Sequence, residues 1–542
     1  MDGYSVQEES QRIFRERVLA DASLGLPASF AAAAAKVRFV GDDPKPFVPT
    51  PCKITESAAA LSALVAAAAS AVAADRYGID YQDVEVNTDL ATLFLESVLL
   101  PTVGGKPFLL DERLQREFKK GDLYEMNKPI HQEATNVYQT KDGRWYHLHG
   151  SMNAAATMGM VGVEEQDATR EEAIKIYADK VAQWDSDVIE KKSNEELKQA
   201  GVVCLTPEEF FASEQGKIMG AEPLWNKKAL PAPRSQWPQN PTSDFKPLAG
   251  IRVIDFSRVI AAPVISKVLA VLGAEVVKVT SDKLPDISIL WMDLSTGKKD
   301  ANLDMKTQEG KDAFAKLVEG ADVLVDGYRP GALQRLGFDS DSLRKINSKL
   351  IYVRENCYGF KGPLAYRSGW QQISDCLVGI SWLQGKFMGL DEPVVPLLPN
   401  SDYQTGLIGA AAILQALFQR TKNDATYDID VSLTQYNIWY YRLGQYTPEQ
   451  QKALLARNEG FHVRHYDEMQ TLLVKSHAAI TKARPDIFKH PEYFWKMPGN
   501  EWGIEEDISI LAPAFKFDKS KLEYTVPSGS RGRSKPEWGA SA

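Results

Sequence analysis

A regular alternation of strand and helix patterns begins at Ile251 and constrains the fold more than any other feature of the chain. An apolar strand pattern over 251–256 leads to a helix that starts near Pro263 and ends before Gly273, and a second strand pattern covers 275–280. A strand–helix–strand unit about 30 residues long requires parallel strands. Helix patterns at 307–319 and 340–347 and strand patterns at 321–325 and 350–354 continue the series. The sequence therefore predicts an α/β fold built on a Rossmann-like, doubly wound parallel sheet.

The length and composition are typical of a globular protein with more than one domain. The chain has 542 residues, which is too long for one ordinary core. Hydrophobic residues make up 44% of it and charged residues 25%, the balance of a globular protein. The net charge of −9 argues against a general nucleic-acid binder. The four cysteines lack CxxC spacing, which favours buried thiols over disulfides or a zinc site. Neither GxGxxG nor GxxxxGKS is present, so the standard nucleotide fingerprints are absent.

The alanine-rich segment 58–74 is almost long enough to cross a membrane. It contains mostly alanine with two serines and few large apolar side chains, so a helix packed inside the protein is the favoured interpretation. The N-terminus is polar and charged and does not resemble a signal peptide. We therefore expect no membrane association and a cytoplasmic location, with the peroxisome and the mitochondrion left open.

Shifts in composition predict the organisation of the chain. The clearest boundary is a linker at 223–247, which is marked by a polar run that contains Pro223, Pro231, Pro233, Pro238 and Pro241. The expected units are an N-terminal helical region (1–133), a small α+β domain (134–222), this linker, the Rossmann-like domain (248–445), a helical extension with a returning strand (446–525) and a disordered tail (526–542).

A hairpin is predicted at 136–150, where an Asp-Gly turn separates two strand patterns. His147 and His149 alternate on the second strand and share a face, which is one way to begin a metal site. A third ligand is not evident in the sequence, so ordinary packed histidines are favoured and no metal is predicted.

Asp402 opens a long predicted helix that runs to Arg420 and is followed by an alternating strand at 427–431. Small and apolar residues along the helix, Gly406 and Gly409 among them, give it a broad buried face. Aspartate is a preferred helix cap, and its charge suits the helix dipole. From the spacing alone, Asp402 is thus either a cap or a functional carboxylate.

A weak internal repeat is suggested by two helix–strand–helix units. The alanine-rich helix is followed by Val84-Glu85-Val86, as the Asp402 helix is followed by Ile429-Asp430-Val431. The first unit has no aspartate in the place of Asp402. It offers Glu56 nearby, which we expect to be structural.

Residues 247–437 resemble the family III CoA-transferases (CaiB/BaiF), a group that includes formyl-CoA and carnitine-CoA transferases and α-methylacyl-CoA racemases. The matching runs are PLAGIRVIDFSRVIAAP, LAVLGAEVVKV, LDMKTQEGKDAFAKLVEGADVLVDGYRPGALQRLGF and PNSDYQTGLIGAAAILQALFQR. Residues 134–220 resemble the small domain of the family, and 507–517 its closing strand. The small-domain part precedes the first βαβ unit, whereas the family places it later. This order suggests two partial copies in tandem, a hypothesis that requires 55–90 to superpose on 401–435.

The resemblance implies a function and a site. The reacting aspartate of the family falls on Asp402, where a carboxylate can attack a thioester, form a mixed anhydride and then carry CoA before an acceptor acid collects it. CoA is then a substrate, and no permanently bound cofactor is expected. The resemblance places the CoA contacts at Val259, Ile260, Lys298, Lys306, Tyr328, Arg335 and Trp370. Family members form interlocked dimers, so a homodimer is expected by analogy.

Several positions depart from the family pattern. The racemase histidine falls at Trp370, whose indole cannot accept a proton, and a glutamine of some transferases falls at Ile260. Ser281 lacks an arginine of some members, and no glycine-rich covering loop is found. The favoured function is a CoA-transferase that uses an acyl-CoA and a free carboxylic acid. The alternatives are an acyl-CoA racemase or epimerase and an impaired CoA-binding member of the family.

Overall fold

The computed structural model describes residues 3–240 and 243–539. The N-terminal part of the chain combines helices with short strands. Its elements are α1 Val6–Ile13, α2 Ala28–Ala34, β1 Val37–Val40, α3 Ile54–Tyr77, β2 Val84–Asn87, α4 Thr88–Phe94, β3 Thr102–Val103, β4 Lys106–Pro107 and α5 Glu112–Gly121.

The next part begins with a small α+β layer that has its own core, and it ends with two helices that pack on the main core and a strand that joins the large sheet. Its elements are α6 Pro129–Gln132, β5 Asn136–Gln139, β6 Trp145–Leu148, α7 Ala155–Val161, α8 Arg170–Val181, α9 Ser186–Lys191, β7 Gly201–Val203, α10 Pro207–Ala212, α11 Glu214–Met219 and β8 Asn226–Pro231. β5 and β6 make the hairpin at the Asp-Gly turn, and β7 pairs antiparallel with β6. Side chains of the hairpin and of α8, such as Tyr146 and Tyr177, are fully buried together.

The central part contains the α/β alternation. Its elements are β9 Arg252–Phe256, α12 Ala261–Val271, β10 Glu275–Thr280, α13 Trp291–Leu294, β11 Lys298–Asn302, α14 Gln308–Glu319, β12 Val323–Asp326, α15 Ala332–Arg335, α16 Ser340–Ile346, β13 Ile351–Asn356, α17 Gln371–Val378, α18 Ile380–Phe387, α19 Asn400–Arg420, β14 Ala425–Ser432 and α20 Leu433–Arg442. The C-terminal part adds α21 Pro448–Arg457, α22 Met469–Ala483, β15 Phe494–Pro498, β16 Asp507–Leu511 and β17 Phe515–Phe517.

The large sheet has the strand order β11-β10-β9-β12-β13-β14-β8. Strands β9 to β14 pair in parallel, and β8 lies antiparallel to β14 at the edge. Alternate residues of these strands face opposite sides. Val253 and Val323 face a core shared with α12, α19 and α3, whereas Ile254 and Leu324 face a core shared with α14 and α16. Helices on both faces confirm the predicted doubly wound α/β fold.

The N-terminal and C-terminal parts share their sheets. β17 pairs with β2 in a sheet of order β1-β2-β17, and β16 pairs with β3 in a sheet of order β15-β16-β3-β4. The expectation of separate units at 1–133 and 446–525 is therefore wrong, because strands of the two segments pair with each other in the same sheets. The single closing strand expected near 508–517 is two strands in different sheets, separated at Pro513.

Two further boundary predictions need correction. Residues 226–231 of the expected linker form strand β8, where Pro231 is tolerated because the strand lies at an edge of the sheet. The tail is not disordered over 526–539, although it has no helix or strand. Ser528 is fully buried, and the Arg533 guanidinium donates to the Lys298 carbonyl over 2.6 Å.

Helix α3 is, among the described residues, long and apolar enough to cross a membrane by length and composition, and 94% of its most apolar window is buried. It packs against α19 and α2 inside the protein, as expected for a core helix.

Candidate active site at the crossover of the large sheet

The crevice of the large sheet lies where the strand order reverses. β9 and β12 are neighbours, but the chain proceeds from β9 to β10 on one side and from β12 to β13 on the other. Loops that leave the carboxyl ends of two such strands diverge, and ligands of open α/β sheets bind between them. The loops here are 257–260 and 327–331, and both contribute to a cavity that Asp402 also lines.

Close backbone contacts hold the two loops in place. Val259 has a φ of 67°, which is strained for a β-branched residue. Ile260 precedes α12 without a side-chain cap, so the uncapped N-terminus of this helix lies at the cavity. Gly327 packs against the first turn, since a Cβ there would be 2.5 Å from the Cβ of Ala262.

Helix α19 reaches this turn because it crosses α12 closely. A Cβ on Gly406 would lie 2.3 Å from Val264 Cγ1, and a Cβ on Gly409 would lie 2.5 Å from Ile265 Cδ1. The two glycines thus allow the contact that places Asp402 beside the start of α12.

Asp402 is not a helix cap. Pro399 occupies the N-cap position of α19, and no described residue donates a hydrogen bond to the Asp402 carboxyl. Its side chain is 8% exposed and lines the cavity. Burial raises the pKa of Asp402 well above its usual range, and the Glu355 and Asp375 carboxylates raise it further. Burial and the two neighbouring carboxylates therefore all favour the protonated form of Asp402.

Asp375 lies behind Asp402 and is firmly held. Its carboxylate accepts hydrogen bonds from Gln371 Nε2 at 2.9 Å, Ser401 Oγ at 3.0 Å and Asn437 Nδ2 at 2.8 Å. Burial raises its pKa to about 7, against the effect of these donors. With three donors, Asp375 is held in place by hydrogen bonds rather than free to react.

Trp370 separates the cavity from the histidines of β6. Its ring stacks on His149 at 5.3 Å between centroids and 8° between planes, and it lines the cavity while His149 does not. His147 and His149 stack at 5.8 Å, and burial lowers the pKa of His147 to about 4. No other described carboxylate, cysteine or histidine completes a three-ligand group with them.

A second, larger groove opens from the same cavity. Both are lined by Arg258, Tyr328 and Arg329. The Arg258 guanidinium lies 4.7 Å from the centroid of the Tyr328 ring. The groove continues along Lys306 and Arg335, and the small layer closes it with residues 151–153. Cations beside apolar side chains suit a ligand that carries phosphates on an organic body.

The residues predicted for CoA are distributed between these two depressions, with one exception. Val259, Ile260 and Trp370 line the cavity, Lys306 and Arg335 line the groove, and Tyr328 lines both. The prediction for Lys298 is wrong. This residue lies in strand β11, is fully buried, and donates to Asp255 Oδ2 at 2.8 Å and to the Pro263 carbonyl at 2.7 Å. Burial lowers its pKa to about 8.

Sequence reasoning missed three charged residues of the cavity: Arg258, Glu355 and Arg367. Arg258 and Glu355 stand directly at or after the carboxyl ends of predicted parallel strands, a position that indicates ligand contact in such folds. Arg367 had no such signal, because an irregular segment brings it to the site.

Comparison with known proteins gives the family. The sequence profile of CoA-transferase family III matches residues 248–467. An acetyl-coenzyme A transferase, nodX, of Hypoxylon pulicicidum is 37% identical over 560 aligned positions, which cover 99% of this chain and 94% of that protein. An acyl-CoA transferase of Gibberella moniliformis is 29% identical over 90% of this chain and 87% of its own length.

More distant relatives match only part of the chain. The beta subunit of a succinyl-CoA–L-malate CoA-transferase of Chloroflexus aurantiacus is 36% identical over 35% of this chain and 50% of its own length. A crystal structure of Rv3272 from Mycobacterium tuberculosis covers 53% of this chain and 97% of its own, at 21% identity and a TM-score of 0.40. Because the identity with nodX extends over nearly the whole of both chains, the protein belongs to CoA-transferase family III and is a transferase enzyme.

Proposed function

We propose that the protein moves CoA between an acyl-CoA and a free carboxylic acid through a covalent intermediate on Asp402. The observation that carries this proposal is the state of Asp402: a buried carboxyl without a hydrogen-bond donor among the described residues, on the wall of a cavity that opens to a cationic groove. A carboxylate committed to structure would be paired, whereas a nucleophile must be free to reach its substrate.

The proposed reaction passes through a mixed anhydride and then a CoA thioester on Asp402. The ionised Asp402 attacks the thioester carbonyl carbon and the C–S bond breaks. CoA leaves as a thiolate, and the acyl group remains on Asp402 as a mixed anhydride. The thiolate attacks the Asp402 carbonyl and releases the first acid, leaving CoA on Asp402 as a thioester. The acceptor carboxylate then attacks the Asp402 thioester carbonyl, which forms a second mixed anhydride and releases the CoA thiolate. The thiolate attacks the acceptor's carbonyl of this anhydride, which gives the new acyl-CoA and frees Asp402 as a carboxylate. In this proposal the backbone N–H groups of Ile260 and Ala261, which have no acceptor among the described residues, would stabilise the oxyanion of each step.

The groove supplies the binding site for CoA in this proposal. Lys306 and Arg335 lie at its exposed part, where they would bind phosphate oxygens. Tyr328 and Arg258, stacked at the junction of groove and cavity, would direct the pantetheine arm toward Asp402. Val259, Ile260 and Trp370 would then surround the thioester.

The racemase alternative has less support. It needs two proton carriers on opposite sides of the substrate α-carbon. Trp370 covers His149, and burial lowers the pKa of His149 well below its usual value. Exchange of the α-hydrogen of an acyl-CoA for deuterium, measured by NMR in the presence of the enzyme, would establish this alternative and contradict ours.

The test is direct detection of the Asp402 adduct. The full chain is mixed with acetyl-CoA, succinyl-CoA or octanoyl-CoA and trapped with hydroxylamine, and the peptide that contains Asp402 is analysed by mass spectrometry. We expect an aspartyl hydroxamate with at least one of these thioesters. Its absence with all three would reject the mechanism.

The matched variant is Asp402→Asn, which keeps the size of the side chain. We expect CoA binding and the melting temperature to be retained and transfer to fall at least about 10³-fold, because an amide does not replace a covalent nucleophile. Full transfer activity in this variant would contradict the proposal.

Assembly and location are further parts of the proposal. The homodimer comes from the family analogy alone, and sedimentation analysis of the purified chain decides between one and two copies. A cytoplasmic site of action is also proposed, and imaging of a tagged full chain tests it against the peroxisome and the mitochondrion.

A further inference from the structure

One wall of the cationic groove is the turn that leaves β10 at its carboxyl end. The turn covers residues 281–285, and the members that line the groove are Ser281, Lys283, Leu284 and Pro285. The Leu284 N–H donates to the Ser281 carbonyl at 3.1 Å and closes the turn. Turns at this end of a parallel strand are the usual ligand contacts of open α/β sheets. The conformation of the turn therefore sets the shape of the groove on this side.

An arginine of the C-terminal tail is hydrogen-bonded to this turn at two points. Arg531 Nη1 donates to the Ser281 carbonyl at 2.8 Å and to the Leu284 carbonyl at 3.4 Å. The Arg531 guanidinium also lies 4.5 Å from the centroid of the Trp291 ring, a cation–π contact that holds the side chain against the start of α13. Two backbone groups of the groove wall are thus bonded to a residue 250 positions later in the chain.

The tail is anchored beside this arginine. The Gly532 N–H donates to Asp300 Oδ1 at 2.7 Å, and the Ser534 N–H donates to the Asp300 carbonyl at 2.8 Å. The same carboxylate oxygen accepts from Thr280 Oγ1 at 2.6 Å, at the last residue of β10. Asp300 is buried, so these hydrogen bonds are shielded from water. Arg531 is therefore held at a defined place next to the turn.

The same turn also supports an arginine of the groove. The Pro285 carbonyl accepts from Arg258 Nη1 at 2.5 Å, and the Arg258 guanidinium lies on the Tyr328 ring. Arg258 and Tyr328 line both the groove and the Asp402 cavity, whereas Arg531 lines neither. A shift of the turn would move Arg258 with it. Arg531 can therefore act on the groove only through the turn that it holds.

We propose that Arg531 is a positioning residue for CoA: it holds the turn 281–285 in the conformation that binds CoA, and bound CoA in turn holds the tail on the protein. The inference rests on the proposed function, in which the groove is the CoA site. The coupling is reciprocal. If CoA binds more tightly when the tail is docked, the tail must dock more tightly when CoA is bound.

The first test changes two cations of the tail in the same way. Arg531→Met removes the guanidinium and keeps an unbranched apolar side chain beside Trp291, whereas Lys535→Met removes an exposed cation four positions later. For Arg531→Met we expect the Kd of free CoA, measured by calorimetric titration, to rise about tenfold, which is within the usual range of such coupling. Lys535→Met loses the same charge and should bind CoA as the native protein does.

The kinetics of Asp402 labelling separate positioning from a general loss of structure. In Arg531→Met, the thioester concentration that gives half-maximal labelling with hydroxylamine should rise about tenfold, and the rate at saturating thioester should stay within about twofold of the native rate. Arg531→Lys keeps a cationic donor for the Ser281 carbonyl, so its Kd for CoA should lie between those of the native protein and Arg531→Met. A lower saturated rate with an unchanged half-maximal concentration would indicate a role in stability only and would overturn the proposal.

A second measurement needs no variant and decides the question if Arg531→Met does not fold. Hydrogen exchange in the native full chain is followed by mass spectrometry with and without saturating CoA. We expect CoA to slow exchange about fivefold or more in the peptide that contains Gly532 and Ser534, although neither residue lines the groove. A peptide from α21 is the control and should exchange at the same rate in both samples.

The outcomes separate this inference from the proposed function. If CoA does not bind the native protein, both fail together. If CoA binds but no Asp402 adduct forms, the covalent mechanism fails, and the CoA affinities and the exchange of the tail still decide the inference. If Arg531→Met binds CoA with the native affinity, or CoA leaves the exchange of the tail unchanged, only the inference is overturned.

Discussion

Some buried charged residues of this protein stabilise the fold and others are candidates for catalysis, and burial alone does not distinguish the two kinds. Lys298 and Asp402 are both buried, but Lys298 has its donors committed to Asp255 and Pro263, whereas no described residue donates to the Asp402 carboxyl. Glu56, the acid near the first helix of the suspected repeat, accepts from the Tyr4 hydroxyl at 2.6 Å and from the Tyr446 hydroxyl at 2.9 Å. Glu56 is therefore structural, as expected. Hydrogen-bond partners, rather than exposure, thus distinguish the structural acid Glu56 from the proposed nucleophile Asp402.

This distinction makes opposite predictions for two lysines. Lys298→Met removes the partner of the buried Asp255 carboxylate and should lower the free energy of unfolding by about 3–5 kcal/mol. Lys306→Met removes an exposed cation of the groove and should leave stability unchanged but weaken CoA binding. Denaturant unfolding and calorimetric titration with CoA measure the two effects. Weaker CoA binding by a stable Lys298→Met protein would contradict the assignment.

At the scale of elements, the site depends on the crossing of α12 and α19. Both helices are buried in the same core as α3. The two units of the suspected repeat also have similar connections: β2 pairs parallel with β1 and antiparallel with β17, as β14 pairs parallel with β13 and antiparallel with β8. The duplication remains a hypothesis, because similar pairing does not by itself require superposition of the two units.

The close helix crossing predicts a specific coupling between two positions. Gly409→Ala places a methyl group 2.5 Å from Ile265 Cδ1 and should cost about 1–3 kcal/mol of stability. The same change in an Ile265→Ala background should cost almost nothing, because the clashing atoms are gone. A double-mutant cycle by denaturant unfolding measures this coupling. Additive effects would show that the helices do not need the glycine.

At the scale of the whole molecule, segments far apart in the chain pack together beside the large sheet. The first and last parts share two sheets, and the tail lies along the edge of the large sheet. The Ser534 N–H donates to the Asp300 carbonyl at 2.8 Å, and Trp538 Nε1 donates to the Leu317 carbonyl at 3.0 Å. The tail thus covers β11 and α14 and satisfies their polar groups.

Removal of the tail should therefore weaken the enzyme as a whole. A chain that ends at Thr525 is expected to inactivate faster on heating and to be cut faster by protease, because β11 loses its cover and buried polar groups lose their partners. A chain that ends at Gly539 is the control and should behave as the full protein. Equal half-lives of the three proteins at elevated temperature would show that the tail contacts do not stabilise the fold.

The amino-acid sequence by itself determined the α/β alternation and the hairpin at the Asp-Gly turn, because hydrophobic period and turn residues are local properties. It left Asp402 open between cap and nucleophile, and it took Lys298 for a ligand contact because strand β11, polar in composition, was not recognised. Only the tertiary structure decided which charges are paired, that Glu355 shares a cavity with Asp402, and that the chain ends complete common sheets. These features depend on contacts between residues far apart in the chain, and such contacts leave no periodic signal in either segment.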